Sequence, residues 1–132
     1  MDLTQLNEHY SLVQKLNEAK ELYATTEAKV LGSQKLTGMP HGSGVSDKAG
    51  ALASALADIS AHVSYLERLV AESEPPVEEF IDGIEDLQTR LIFKYRFLNG
   101  CTWWEVAGMF DAGTSDLAVK QICYRYLEKL GM

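Results

Sequence analysis

Six apolar residues, Leu52, Leu56, Ile59, Val63, Leu66 and Val70, follow one another at steps of 4, 3, 4, 3 and 4. That spacing holds a narrow stripe on one face of a long helix, and such a stripe needs a second helix to cover it. Alanines at 49, 51, 53, 55 and 57 raise helix propensity and let a partner come close. The partner is upstream, where Leu12, Leu16, Ala19, Tyr23 and Val30 recur at similar spacing. Asp2 or Thr4 can cap that first helix, which is predicted to run to about Lys29. The second should start at Ser46-Asp47 and end near Glu72. Together they predict a long antiparallel hairpin over residues 1–74. Two helices enclose little interior, so this hairpin is expected to pack on a copy of itself or on a partner.

Between the two seams lies LGSQKLTGMPHGSGVS, residues 31–46, with four glycines, a proline and four hydroxyl side chains. It reads as a long connector. Gly38, Gly42 and Gly44 resemble a phosphate cradle only superficially, because no predicted strand precedes them and no Gly-Lys-Ser/Thr follows. His41, and Lys48 just past this segment, have the chemistry to touch a nucleic-acid backbone.

Glu74-Pro75-Pro76 is expected to stop the second helix and open a second domain, residues 75–132. Val77, Phe80, Ile84, Leu87, Leu91, Tyr95 and Leu98 then mark one helical face, with Gly83 a point where it can split. Asn99-Gly100 is a C-terminal stop. Thr102 and Glu105 form a capping box ahead of Val106, Met109 and Phe110. Of the neighbours Trp103 and Trp104, one is expected to pack on the Leu91/Tyr95 face and the other to lie at the surface. Asp111 to Ser115 is a turn, after which Val119, Ile122, Cys123, Tyr126 and Leu130 define the inward face of a last helix. A short capped helix, a turn and a longer amphipathic helix make a helix-turn-helix.

A helix-turn-helix binds DNA through the start of its second helix. The candidate DNA-binding residues there are Thr114, Ser115, Leu117, Lys120, Gln121, Tyr124 and Arg125. Lys120 suits guanine, Gln121 suits adenine, and Arg125 suits phosphate. Thr102, at a helix N-terminus, is a candidate phosphate contact, and Arg90 and Lys94 add cations from the preceding helix.

Charge opposes this reading. The net charge is −7, whereas nucleic-acid binders are usually basic. The excess is uneven: residues 1–80 hold 12 acids and 6 bases, residues 81–132 hold 7 and 6. A near-neutral binding unit implies weak affinity per copy, hence a homo-oligomer, most simply a dimer. No apolar run is long enough to span a bilayer, and the polar start MDLTQLNEHY lacks signal-peptide character. Cys101 and Cys123 lack CxxC spacing and read as reduced thiols of a cytoplasmic protein. His9, His41 and His62 have no metal-binding spacing, and no carboxylate pair or nucleophile–histidine set suggests an enzyme. No cofactor or metal is expected.

The phrases Arg96-Phe97-Leu98-Asn99-Gly100, Thr102-Trp103-Trp104-Glu105-Val106-Ala107 and Leu127-Glu128-Lys129-Leu130 resemble sigma-factor region four. They are closer to small phage-encoded transcriptional regulators of the ArpU- and RinA-like group. The phrase from Leu36 to Asp47 resembles that group as well, so the likeness covers Leu36 to Leu130. Asp111 stands where the usual motif has glycine, and the turn before Val119 is longer than is common. The resemblance implies an all-α chain in which the hairpin precedes a sigma-region-four-like helix-turn-helix. It also implies a phage or prophage transcription regulator in a bacterial host cell, with double-stranded DNA and RNA polymerase as partners. The rival expectations are a ring-forming, small-terminase-like DNA-packaging component and a helical interaction module that does not bind DNA.

Overall fold

The computed structural model describes residues 1–35 and 43–131, side chains apart at 33–35 and 43–47. Helices dominate and no strand occurs among the described residues. In order they are α1 (Leu3–Lys35), α2 (Ser43–Asp82), α3 (Leu87–Phe93), which continues as a π-turn (Lys94–Leu98), α4 (Trp103–Gly108) and α5 (Asp116–Lys129). The fold is all-α, and the two long helices pack together.

Both long helices exceed their expected limits. Asp2 caps α1: its carboxylate accepts from Gln5 N at 2.9 Å, while Gln5 Oε1 accepts from Asp2 N at 3.1 Å. The expected connector is helical over 31–35 and 43–46; the rest of it, with Gly38, Pro40 and His41, lies outside the described residues. Gly32, with open space around it, slows but does not stop α1.

The expected stop at Pro75-Pro76 is corrected: α2 runs through both prolines to Asp82. The carbonyls of Ala71 and Glu72, which lose their usual donors, belong to exposed residues, where water can serve them. The apolar seam meanwhile continues into Val77 and Ile81, both buried. Burying two such side chains stabilises by roughly 3–6 kcal/mol, enough to offset much of the proline penalty of about 3 kcal/mol each. The chain forms two compact units, one of Met1–Lys15 with Arg68–Met132 and another of Leu16–Glu67.

In the Leu16–Glu67 unit, Leu16, Ala19, Thr26 and Leu66 are buried, while Leu52, Leu56, Ile59 and Val63 of the heptad seam are half-buried. In the other unit one core gathers Leu6 of α1, Val77 and Ile81 of α2, Ile84, and Ile92 and Phe93 of α3. Phe97, Val106, Ala107, Val119, Cys123 and Leu127 complete it. The stripe expected from Val77 to Leu98 splits at Gly83, where the sequence allowed it to, and its face beyond the split is corrected. The helix breaks after Asp82, and Asp86 caps α3 by accepting from Thr89 N at 2.9 Å and Thr89 Oγ1 at 2.7 Å. The break resets the helical phase, so Ile92, Phe93 and Phe97 face the core and Leu87 is exposed.

His9 interrupts the apolar seam of α1 and is 1 % exposed. Ser73 Oγ donates to Val70 O at 3.3 Å, so its lone pairs face His9 Nδ1, 2.5 Å away. A hydroxyl has one proton, which assigns the imidazole proton to Nδ1 and leaves Nε2 buried without a partner. Burial lowers the His9 pKa below its ordinary 6.5, so the folded chain holds the ring neutral. The unfolded chain binds the proton first as pH falls, so this stability is present above about pH 6.5 and is lost below it. The thermal midpoint of the wild type is expected to fall between pH 7.5 and 5.5, and His9→Gln is expected to flatten that fall. Parallel curves for the two proteins would show that His9 is not the group responsible.

Candidate nucleic-acid interface

The helix-turn-helix is built from caps that the sequence encodes. Thr102 Oγ1 accepts from Glu105 N at 3.2 Å and Glu105 Oε1 accepts from Thr102 N at 2.9 Å, the expected capping box. Hydrogen bonding from Thr102 to the carboxylate, from its backbone N–H first and then its side chain, lowers the Glu105 pKa. The turn is closed by Thr114 N donating to Asp111 O at 2.8 Å. Ser115 Oγ then accepts from Ala118 N at 3.1 Å and starts α5.

Val119, Cys123 and Leu127 of α5 are buried, with Ile122 and Tyr126 packed beside them. Leu130 is 46 % exposed, a correction to its expected inward place, because it lies past the last regular turn. Burial pushes the Cys123 thiol up to about 12, so it is a core residue and an inert one.

The opposite face of α5 carries Leu117, Gln121, Tyr124 and Arg125, all exposed, and half-buried Lys120. One helix face thus brings five of the candidate residues together. Thr114 is half-buried in the turn and exposed Ser115 is engaged as a cap. Thr102 also caps, with the Glu105 carboxylate occupying the end of α4 where a phosphate was expected, so a phosphate there would meet a like charge. Arg90 donates from Nη1 to Ile84 O at 3.2 Å and ties α3 to the segment before it. Lys94 is exposed on the π-turn.

What the sequence did not reveal is how Tyr124 and Lys120 are held. The Arg96 guanidinium lies between two rings, 3.7 Å from the Tyr10 centroid and 4.4 Å from that of Trp103. Its Nη1 donates to Cys101 O at 3.2 Å, and Nε is buried without a partner. Desolvation lowers its pKa, opposed by the nearby phenols and thiols. Trp103 meets Tyr124 edge-on at 6.2 Å, and Lys120 Nζ is 5.8 Å from the Tyr124 centroid. A connected series of rings and cations, Tyr10, Arg96, Trp103, Tyr124 and Lys120, therefore runs from α1 to the exposed face of α5. The π-turn positions this chain: Asn99 N bonds to Lys94 O and Cys101 N to Tyr95 O, and Gly100 takes a positive φ of 75° to allow it. Gln14 seals the end, donating to Tyr10 Oη at 2.6 Å and Gly100 O at 3.2 Å.

Trp103 packs on Arg96 and Tyr124, and Tyr95, of the face expected to receive it, meets Phe110 at 6.2 Å. Trp104 is the exposed member of the pair. Met109, expected on the inward stripe of α4, is exposed because α4 ends at Gly108.

Among the described residues no cluster of His, Cys, Asp and Glu is placed to hold a metal ion. None of the described helices is long and apolar enough to cross a membrane. No protein-family model, curated protein or solved structure matches the chain.

Lysine keeps the charge of Arg96 but not the flat fork that fits between two rings. Arg96→Lys is expected to lower unfolding free energy by about 1–2 kcal/mol in urea titration. It should also shift the ring resonances of Tyr10 and Tyr124. Unchanged stability with unchanged rings would mean that the sandwich contributes nothing.

Proposed function

We propose that this protein binds double-stranded DNA through the exposed face of α5. The observation that carries the proposal is the grouping of Leu117, Lys120, Gln121, Tyr124 and Arg125 on one face of a helix whose other face is core. The first turns of such a helix reach base edges in a major groove. Gln121 offers the paired donor and acceptor that suit adenine, Lys120 is the candidate for guanine, and Arg125 lies one turn on, where phosphate runs. Arg90, Thr102 and Ser115 act first as structural groups, through the bonds described above. The likeness to sigma region four and to phage regulators extends the proposal to transcription control in a bacterial host, with RNA polymerase as a further partner.

Self-association belongs to the same proposal. The α5 face carries few cations, so useful affinity calls for more than one copy. The half-buried seam of Leu52, Leu56, Ile59 and Val63 supplies an apolar surface for a second hairpin. Wild type is expected to sediment as a dimer or larger at concentrations on the order of tens of micromolar, and Ile59→Asp as a smaller species, because a buried unpaired carboxylate costs several kcal/mol. A monomeric wild type would remove this part of the proposal.

Selection from random duplexes, followed by titration with variants, tests the DNA reading. Gln121→Ala is expected to weaken the preferred site by roughly 1–3 kcal/mol and to relax base choice at one position. Arg125→Ala is expected to weaken all sequences alike and to make the salt slope shallower by about one unit. No duplex enriched, and no response to substitutions from Leu117 to Arg125 in a folded protein, would contradict the proposal.

A further inference from the structure

The side of the helix-turn-helix around α4 differs in chemistry from the α5 face. The outer side of α4, the Asp111–Thr114 turn and the start of α5 enclose an open groove of about 610 Å³. Its apolar wall includes Trp104, Met109 and Phe110, and its carboxylates come from Glu105, Asp111 and Asp116. No lysine or arginine lines it. Trp104 is 77 % exposed and Met109 56 %, and Leu117, 60 % exposed, follows directly after Asp116. The buried side of α4 is supplied by Val106 and Ala107, so neither the tryptophan nor the methionine serves the core. Two large exposed apolar side chains, Trp104 on the six-residue α4 and Met109 at its C-terminal cap, are a surface awaiting cover. Tryptophan and methionine are also enriched where proteins meet.

Charge selects the occupant. Three carboxylates around an apolar floor repel nucleic-acid phosphate and favour lysine or arginine. A second copy of this chain, with a net charge of −7, is poorly matched to an acidic rim. We propose that the groove docks a basic amphipathic segment of another protein. One or two large apolar side chains of that segment enter against Trp104 and Met109, and flanking lysines or arginines face Asp111 and Asp116. The methionine adapts to the apolar shape, and the carboxylates set orientation and exclude acidic competitors. This inference does not rest on DNA binding, whose cations Lys120 and Arg125 do not line the groove, and the two surfaces meet at Asp116 and Leu117.

Three labelled helical peptides of equal length test it, one of leucine and lysine, one with glutamate for lysine, one with serine for leucine. Fluorescence anisotropy against the full chain is the readout. The leucine–lysine peptide is expected to bind. Trp104→Ala, Met109→Ser and Asp111→Asn should each weaken it, the tryptophan change by at least about tenfold. Trp104 and Met109 are exposed, so these variants are expected to fold, as circular dichroism would show; should one fail, the others carry the test. Equal binding of the glutamate or serine peptide would overturn the proposal, as would equal binding of the leucine–lysine peptide by all three variants. Loss of duplex DNA binding in Trp104→Ala would instead assign the groove to nucleic acid and overturn it too.

Discussion

The burial of Phe93 is the constraint on which the Met1–Lys15 and Arg68–Met132 unit depends. Its ring is fully buried and meets Phe80 of α2 at 5.9 Å, Phe97 of the π-turn at 5.5 Å and Tyr126 of α5 at 5.5 Å. Three elements thus converge on one side chain, whose burial stabilises by about 3 kcal/mol, with each ring pair adding roughly 0.5–1.5 kcal/mol. Helices α3 and α4 have seven and six residues, too short to persist in water alone. They exist because this core, with Val106, Val119 and Cys123, pins them. The outward direction of Gln121 and Arg125 is a consequence of the same packing, since it is fixed by Val119, Cys123 and Leu127 facing in.

A second layer of order sits on that core. Arg96 lies between two rings, and its position links α1 to α4 and, through Trp103, to α5. The two tryptophans therefore have separate work despite being adjacent. Trp103 is part of the internal series of cations and rings, and Trp104 is exposed. Under the proposals above, the same small unit presents cations on α5 and carboxylates beside α4. The net charge is carried mainly by residues 1–80, −6 of −7, while residues 81–132 are near neutral.

Local signals were readable wherever the chemistry was local. Thr102 with Glu105, Ser115, and Asn99-Gly100 each specify a helix end through bonds to backbone a few residues away. Helical periodicity likewise located Val106, Val119 and Cys123. The failures share a different cause. Pro75-Pro76 signals a break, but the long-range burial of Val77 and Ile81 outweighs it. The stripe through Leu87 failed because the break at Gly83 changes phase, which periodicity carried across a gap cannot detect. The settings of Arg96 and His9 were not legible, since nothing near them in sequence announces Tyr10, Trp103 or Ser73 as neighbours. The α4 groove was missed for a similar reason: Met109 was assigned to the core, and the exposure that makes it interesting depends on where α4 stops.

The central claim, that the α5 face is a DNA contact, is tested most directly by residue-resolved amide spectra during titration with a short duplex obtained by selection. The account predicts the largest shifts at Leu117, Lys120, Gln121, Tyr124 and Arg125, diminishing as salt is raised, with Trp104 and Met109 little affected. Shifts confined to the α4 groove or to the long helices, or no shifts at any salt concentration, would contradict it.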